Sequence, residues 1–258
     1  MGRQPADLLV PRMPTLRRIG HKGADRITPG NTPASFDAAL AAGVHMIEFD
    51  ILPEDPNQAD SSPLRLAHDY AHPIGGAPTL EHGLDHLTSA PFSDVELDVD
   101  LKLPGYERRV VEALRERGLI SRTLVSTQYM RSLIVLRELE PALRLGWSVP
   151  RVRRDYTRNL LYAVPAYSAL YYIRRRLPRI AAGHLEAGRC DAVMAHFKLV
   201  TPALLDAIRD AGGELYVWTV DDAKRIRALE AMGVTGVITN DPRLFGAPQA
   251  PIEQVAAE

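Results

Sequence analysis

Residues 214–239 read ELYVWTVDDAKRIRALEAMGVTGVIT, and this stretch decides the fold class. The apolar run 214–218 has the composition of a strand. Asp221-Asp222 then supplies side-chain oxygens that can cap the free N–H groups of a helix, and Gly233 ends that helix. Ile226, Leu229 and Met232 fall on one face of it. A second apolar strand follows at 236–239. Strand, capped helix, glycine and strand make a crossover unit, whose two strands pair in parallel.

The same grammar recurs in both directions along the chain. Thr32-Pro33 opens a helix that Gly43 closes, and Thr201-Pro202 opens another that ends at Gly212-Gly213. Strands are expected at 17–20, 46–50, 95–101, 123–126, 143–147, 192–195, 214–218 and 236–239. Eight repeats in 258 residues predict a single-domain (β/α)8 TIM barrel, with a doubly wound open sheet as the alternative. The barrel is expected over residues 15–246, with an N-terminal extension at 1–14 and a C-terminal tail at 247–258. Two regions depart from the rhythm. A Pro-, Asp- and Ser-rich stretch, 53–63, leads into a short run at 64–67 and reads as a hairpin-like excursion after the second strand. Residues 151–185 are longer than a crossover needs and strongly basic.

Bulk composition excludes several classes. A formal net charge of −1 argues against nucleic acid as a partner. The single cysteine, Cys190, cannot form an internal disulfide and reads as core packing. Neither a signal peptide nor a spanning helix is evident, so the expected location is cytoplasmic.

In a barrel of this kind the active site lies at the C-terminal ends of the strands. Glu48 and Asp50 flank Phe49 on the second strand, so both carboxylates point to one face, the barrel interior. The strand at 95–101 carries Glu96, Asp98 and Asp100, again at every second position, with Lys102 following. Barrel strands are normally apolar on both faces, and buried carboxylates are costly unless paired, protonated or bound to a cation. Glu48, Asp50 and Asp100 together therefore predict a hard divalent ion, Mg²⁺ or Ca²⁺. For any one of these carboxylates a salt bridge to Lys102 or an arginine is the plainer reading; for the combined pattern the metal is preferred. His21 and His68 fall at strand ends beside this cluster, unlike His45, His72, His82, His86, His184 and His196, which read as structural.

The ordered set His21-Lys22-Gly23, Asn31-Thr32, Glu48-Phe49-Asp50, His68-Asp69, Asp100-Leu101-Lys102, Trp218-Thr219-Val220 and Thr239-Asn240-Asp241-Pro242 resembles the signature of glycerophosphodiester phosphodiesterases, of the phospholipase C-like phosphodiesterase superfamily. The resemblance spans residues 17–242. It implies a barrel, and a divalent metal on Glu48, Asp50 and Asp100. It also implies that His21 and His68 act as general base and acid, that Trp218 forms a substrate wall, and that Lys102, with Lys22, lies by the phosphate. Which histidine is base and which acid the residues leave open; His21 as base is the working assignment. The resemblance also implies attack by a neighbouring substrate hydroxyl, giving a cyclic phosphate before or instead of hydrolysis.

Three departures bear on the substrate. Lys22 stands where the family usually has arginine, which loses a two-pronged grip on phosphate. Gly30 stands where it usually has glutamate. Asp100 is one methylene shorter than the usual glutamate, and an aspartate followed two residues on by lysine also resembles the sphingomyelinase D-type phospholipases. The short segment after His68-Asp69 predicts an open mouth. The substrate is therefore expected to be a glycerophosphodiester, with a lysolipid or sphingolipid head group cleaved in phospholipase D fashion as the alternative. A catalytically weak phosphodiester-binding protein is the competitor from another class. Nothing in the sequence specifies an oligomeric state.

Residues 151–179 hold eight arginines and one acid, Asp155, interleaved with tyrosines and leucines. Such a segment could make peripheral contact with an anionic membrane. Pro165 and Pro178 are expected to interrupt any long helix there, which favours a barrel helix with an extended loop and solvated arginines.

Overall fold

The computed structural model describes residues 15–150 and 163–246, the side chains of 163–169 excepted. The expected extension at 1–14, the tail at 247–258 and the arginines at 151–158 lie outside the described residues. Eight parallel strands close into a barrel: β1 (Arg17–Gly20), β2 (Met46–Pro53), β4 (Glu96–Leu101), β5 (Thr123–Thr127), β6 (Arg144–Val149), β7 (Ala192–His196), β8 (Glu214–Trp218) and β9 (Gly236–Thr239). Closure comes from β1, which pairs with β2 on one side and β9 on the other. The open doubly wound alternative is thereby excluded.

Helices α1 (Pro33–Ala41), α2 (Leu80–Leu87), α3 (Glu107–Glu116), α4 (Met130–Leu139), α5 (Ala163–Glu186), α6 (Pro202–Asp210) and α7 (Ala223–Met232) connect the strands. Among the described residues after β9, a 3-10 turn, Pro242–Phe245, takes the eighth helix position. The expected caps are in place: the side chains of Thr32, Thr201 and Asp222 accept from Ser35 N, Leu204 N and Arg225 N. Gly233 ends α7 at φ 85°, a left-handed conformation in which a Cβ would be strained.

The excursion after the second strand is a true hairpin. β3 (Leu64–Leu66) pairs antiparallel with Ile51, Leu52 and Pro53. That pairing carries β2 three residues past its expected end at Asp50, because β3 supplies hydrogen-bond partners beyond the barrel rim. The proline expectation for the basic segment is overturned: α5 is continuous over 24 residues with Pro178 inside it. Pro165 falls in the first turn, where its missing N–H has no intrahelical acceptor to lose. Pro178 does forfeit one bond, but Leu177, Ala181 and Leu185 are buried and hold the helix on the barrel.

Inside the barrel, alternate residues stack in three levels. Arg17, Glu96, Arg144, Glu214 and the Tyr216 hydroxyl close the bottom as an ion-pair network. An apolar plug of Ile19, Met46, Leu124, Ala192, Met194, Tyr216 and Ile238 fills the middle. Gly146 faces the same interior; a Cβ there would come within 2.9 Å of Leu124 and 3.0 Å of Met194, so the plug needs a glycine on β6. Above the plug come His21, Glu48, Ser126 and Ser148, each two residues further along the chain, and that level forms the site.

Candidate active site

Glu48, Asp50 and Asp100 each offer an oxygen within 4.8 Å of the others. The strand register makes this inevitable, since Asp50 on β2 lies directly beside Asp100 on β4, and Glu48 beside Asp98. Lys102 reaches back into the cluster, with Nζ 2.6 Å from Asp50 Oδ1 and 2.5 Å from Asp100 Oδ2. The contact with Asp50 Oδ1 lies off the direction a hydrogen bond needs.

One ammonium does not balance these groups. Burial, reinforced by the charge of Asp50, pushes Glu48 well above the usual carboxylate range. Burial also raises Asp100 against the pull of Lys102. Asp50 goes the other way: burial alone would raise it, but Lys102 and the His68 ring hold it well below the usual range. Lys102 is held far above its ordinary value by Asp100, Asp50 and Glu48, despite its burial. Asp100 Oδ1 and both oxygens of Asp98 are buried with no hydrogen-bond partner. Asp98 was not among the expected ligands, although the alternation that selects Asp100 selects it too. Burial and the neighbouring Asp100 push it up to about 8; Ser126 lies close enough to favour the anion but outside hydrogen-bond geometry. An all-oxygen donor set with a partnerless buried carboxylate oxygen fits a hard divalent cation.

The two histidines flank this cluster and are oriented by different means. His68 Nδ1 lies 3.1 Å from Asp50 Oδ2, a pure acceptor, so Nδ1 carries the proton and Nε2 is left toward the cavity. His21 Nδ1 is 2.5 Å from Asn240 Oδ1. Asn240 cannot present its NH₂ instead, because Nδ2 donates to Asp221 Oδ2 at 2.7 Å and its backbone N–H donates to Asp221 Oδ1 at 2.9 Å. Asp221 is further tied by the Thr239 hydroxyl and by Arg26. His21 therefore keeps its neutral proton on Nδ1, and its Nε2 lone pair faces Glu48 Oε2 at 3.8 Å. Burial lowers the His21 pKa to about 4, so the ring is neutral at pH 7. Asn240 and Asp221 belong to quoted motifs or their edges, but only the fold brings them together behind His21.

The loop after β1 is held by the same carboxylates. Lys22, at φ 52°, donates its backbone N–H to Glu48 Oε2 at 2.8 Å. Asn31, also left-handed at φ 58°, is buried; its Nδ2 donates to Asp50 Oδ2 and its Oδ1 accepts from Asp50 N, both at 3.0 Å. Beside Gly30, where the family usually has an acid, stands Asp25. Asp25 Oδ1 accepts from Gly30 N, lies 2.5 Å from where a Cβ at Gly30 would sit, and Asp25 Oδ2 is 3.8 Å from Lys22 Nζ.

His21, Lys22, Glu48, His68, Asp98, Asp100 and Lys102 line a cavity of about 670 Å³ whose remaining walls include Leu52, Tyr70, Leu103, Tyr129, Met194 and Trp218. The Trp218 indole N–H donates to Met194 O at 2.8 Å, which turns the ring face into a wall. His196, read as structural, meets that ring edge-on at 5.1 Å and buttresses it from outside. Cys190 is buried with its thiol pushed up to about 12, in keeping with a packing role.

A family model, the glycerophosphoryl diester phosphodiesterase family, matches residues 81–244. The chain belongs to that family. The matched stretch contains Asp100, Lys102, Trp218, Asp221 and Asn240; the groups on the first two strands join them through the barrel. A glycerophosphodiester phosphodiesterase of Caldanaerobacter subterraneus subsp. tengcongensis is 22% identical over 87% of this chain and 93% of its own length. The solved structure of a glycerophosphodiester phosphodiesterase from Agrobacterium tumefaciens aligns with a TM-score of 0.65 at 20% identity, covering 90% of this chain and 99% of that one. A phosphodiesterase of Oleispira antarctica, solved with the product sn-glycerol-3-phosphate, aligns with a TM-score of 0.61 at 18% identity, covering 90% and 94%. Among the described residues no helix is long and apolar enough to cross a membrane.

Proposed function

We propose that this enzyme hydrolyses glycerophosphodiesters to glycerol 3-phosphate and an alcohol, with His21 as general base and His68 as general acid. The observation that supports His21 as base is the orientation of its ring. Its Nδ1 proton is committed to Asn240, so the Nε2 lone pair faces the carboxylate cluster and can accept a proton from the attacking hydroxyl. His68 donates Nδ1–H to Asp50, and as an imidazolium it would carry a second proton on Nε2, the one it gives to the departing alkoxide. Glu48, Asp50 and Asp100 would hold one Mg²⁺ or Ca²⁺, and such an ion, when bound, offsets charge on the phosphate oxygens. Lys102 would then direct its charge toward the phosphate, and Lys22 would add a second cation at the cavity edge. Trp218 shapes the wall against which the substrate rests.

A second reading, cleavage of a lysophospholipid at the same bond, is favoured by the size of the cavity and its Leu52, Leu103 and Met194 lining. Incubation with glycerophosphocholine and with lysophosphatidylcholine, with added Mg²⁺ or Ca²⁺ and with chelator, separates the two. Metal-dependent release of glycerol 3-phosphate from the first is expected. His21→Ala should lower that rate by about 10²–10⁴-fold. Choline release from the lysolipid alone would move the assignment to the second reading. A folded, metal-binding chain that turns over neither would contradict both.

A further inference from the structure

The outer face of α5 combines exposed tyrosines with exposed arginines. Leu177, Ala181 and Leu185 are buried on the inner side. On the opposite side Tyr171, Tyr172 and Ile180 are 61%, 54% and 45% exposed, and Arg175, Arg176 and Arg179 are exposed around them. The arginines are organised by the tyrosines rather than by acids. Arg175 Nη1 donates to the Tyr171 hydroxyl at 2.9 Å, and the Arg176 guanidinium lies 4.5 Å from the centre of the Tyr172 ring. Residues 170–185 contain no acidic residue, and none of these three arginines has a carboxylate partner among the described residues. Elsewhere Arg115, Arg117, Arg137, Arg144 and Arg243 each hold one.

The helix also reaches the end of the barrel that carries the site. Arg174 Nε donates to Lys198 O, in the turn directly after β7. That turn begins at His196, whose ring supports Trp218 on the cavity wall.

We propose that this face of α5 docks the protein on an anionic membrane surface, with Tyr171 and Tyr172 among the head groups and Arg175, Arg176 and Arg179 against lipid phosphates. Tyrosine presents an apolar ring and a polar tip, which suits the boundary between hydrocarbon and water. Unpaired guanidiniums gain most from a dense layer of phosphates, which they can grip two-pronged. Docking here would hold the site end of the barrel near the lipid surface whichever ester is cleaved, so the proposal stands apart from the reading of the substrate.

The test is co-sedimentation of the full chain with vesicles of phosphatidylcholine alone and of phosphatidylcholine mixed with phosphatidylglycerol, at low and high salt. Binding to the mixed vesicles that weakens with salt is expected, with little binding to neutral ones. Arg175→Gln/Arg176→Gln/Arg179→Gln should weaken it on the order of a hundredfold, roughly fivefold for each arginine. Tyr171→Ser/Tyr172→Ser should weaken binding while leaving its salt dependence intact. All five side chains are exposed, so an unchanged thermal midpoint is expected in both variants. Equal binding to both vesicle types, no binding to either, or wild-type binding by the triple arginine variant would overturn the proposal. The last result would assign any membrane contact to other arginines of the chain.

Discussion

Each end of the barrel carries a cluster of ionisable side chains, and the two ends resolve them in opposite ways. At the bottom, Glu96 and Glu214 face Arg17 and Arg144, with the Tyr216 hydroxyl between them. Two carboxylates meet two guanidiniums, every charge has a partner, and the groups are about a third exposed. At the top, Glu48, Asp50, Asp98 and Asp100 meet the single ammonium of Lys102, and all four are largely shielded from water. β4 contributes to both ends, with Glu96 balanced and Asp98 and Asp100 not. A balanced cluster is a closed structural unit. An excess of buried carboxylates is costly and is retained where a bound cation supplies the remainder.

That contrast can be broken by perturbing each end separately. The largest effect is expected at the top. Asp221→Asn would let the Asn240 amide turn over, so His21 would no longer be committed to the tautomer with a free Nε2. Steady-state kinetics should show kcat falling by between about tenfold and the roughly 10⁴-fold that a wrong tautomer costs a serine-protease triad, with KM little changed. An unchanged kcat would remove Asn240 from the account of the base. At the bottom, Arg144→Met should cost about 1–2 kcal/mol in urea unfolding, since it strips three charge-assisted bonds from a network about a third exposed. Its kcat should match wild type; a loss of activity without loss of stability would erase the distinction between the two ends. The smallest effect is expected between them. Cys190, buried and pushed up to about 12, should resist alkylation at pH 8 in the native state and react in urea. Rapid native labelling would mean that the shell around β7 opens.

Much of this was readable in the chain because it is local. Caps at Thr32, Thr201 and Asp222, terminating glycines and period-2 alternation each act within a few residues, so the strands and the inward direction of Glu48, Asp50 and Asp100 follow from spacing. What was missed depends on partners distant in sequence. β2 overruns Asp50 because β3 folds back on it. Pro178 is tolerated because its neighbours are buried. Asn240 and Asp221 matter through a contact with His21 that spans 219 residues of chain. Asp25 stands near the vacancy at Gly30 only because the loop between them closes. Asp98 is the exception: its alternation with Asp100 was visible, and its burial without a partner was not.

If the top cluster is a divalent-cation site, the ion should stabilise the fold through Glu48, Asp50 and Asp100. Thermal unfolding of wild type and Asp100→Asn, each with chelator and with increasing Mg²⁺ or Ca²⁺, tests it most directly. The account predicts that the wild-type midpoint rises with either ion, because the ion binds only the folded cluster, and that Asp100→Asn loses most of that rise while gaining stability in chelator. A wild-type midpoint indifferent to both ions would contradict it.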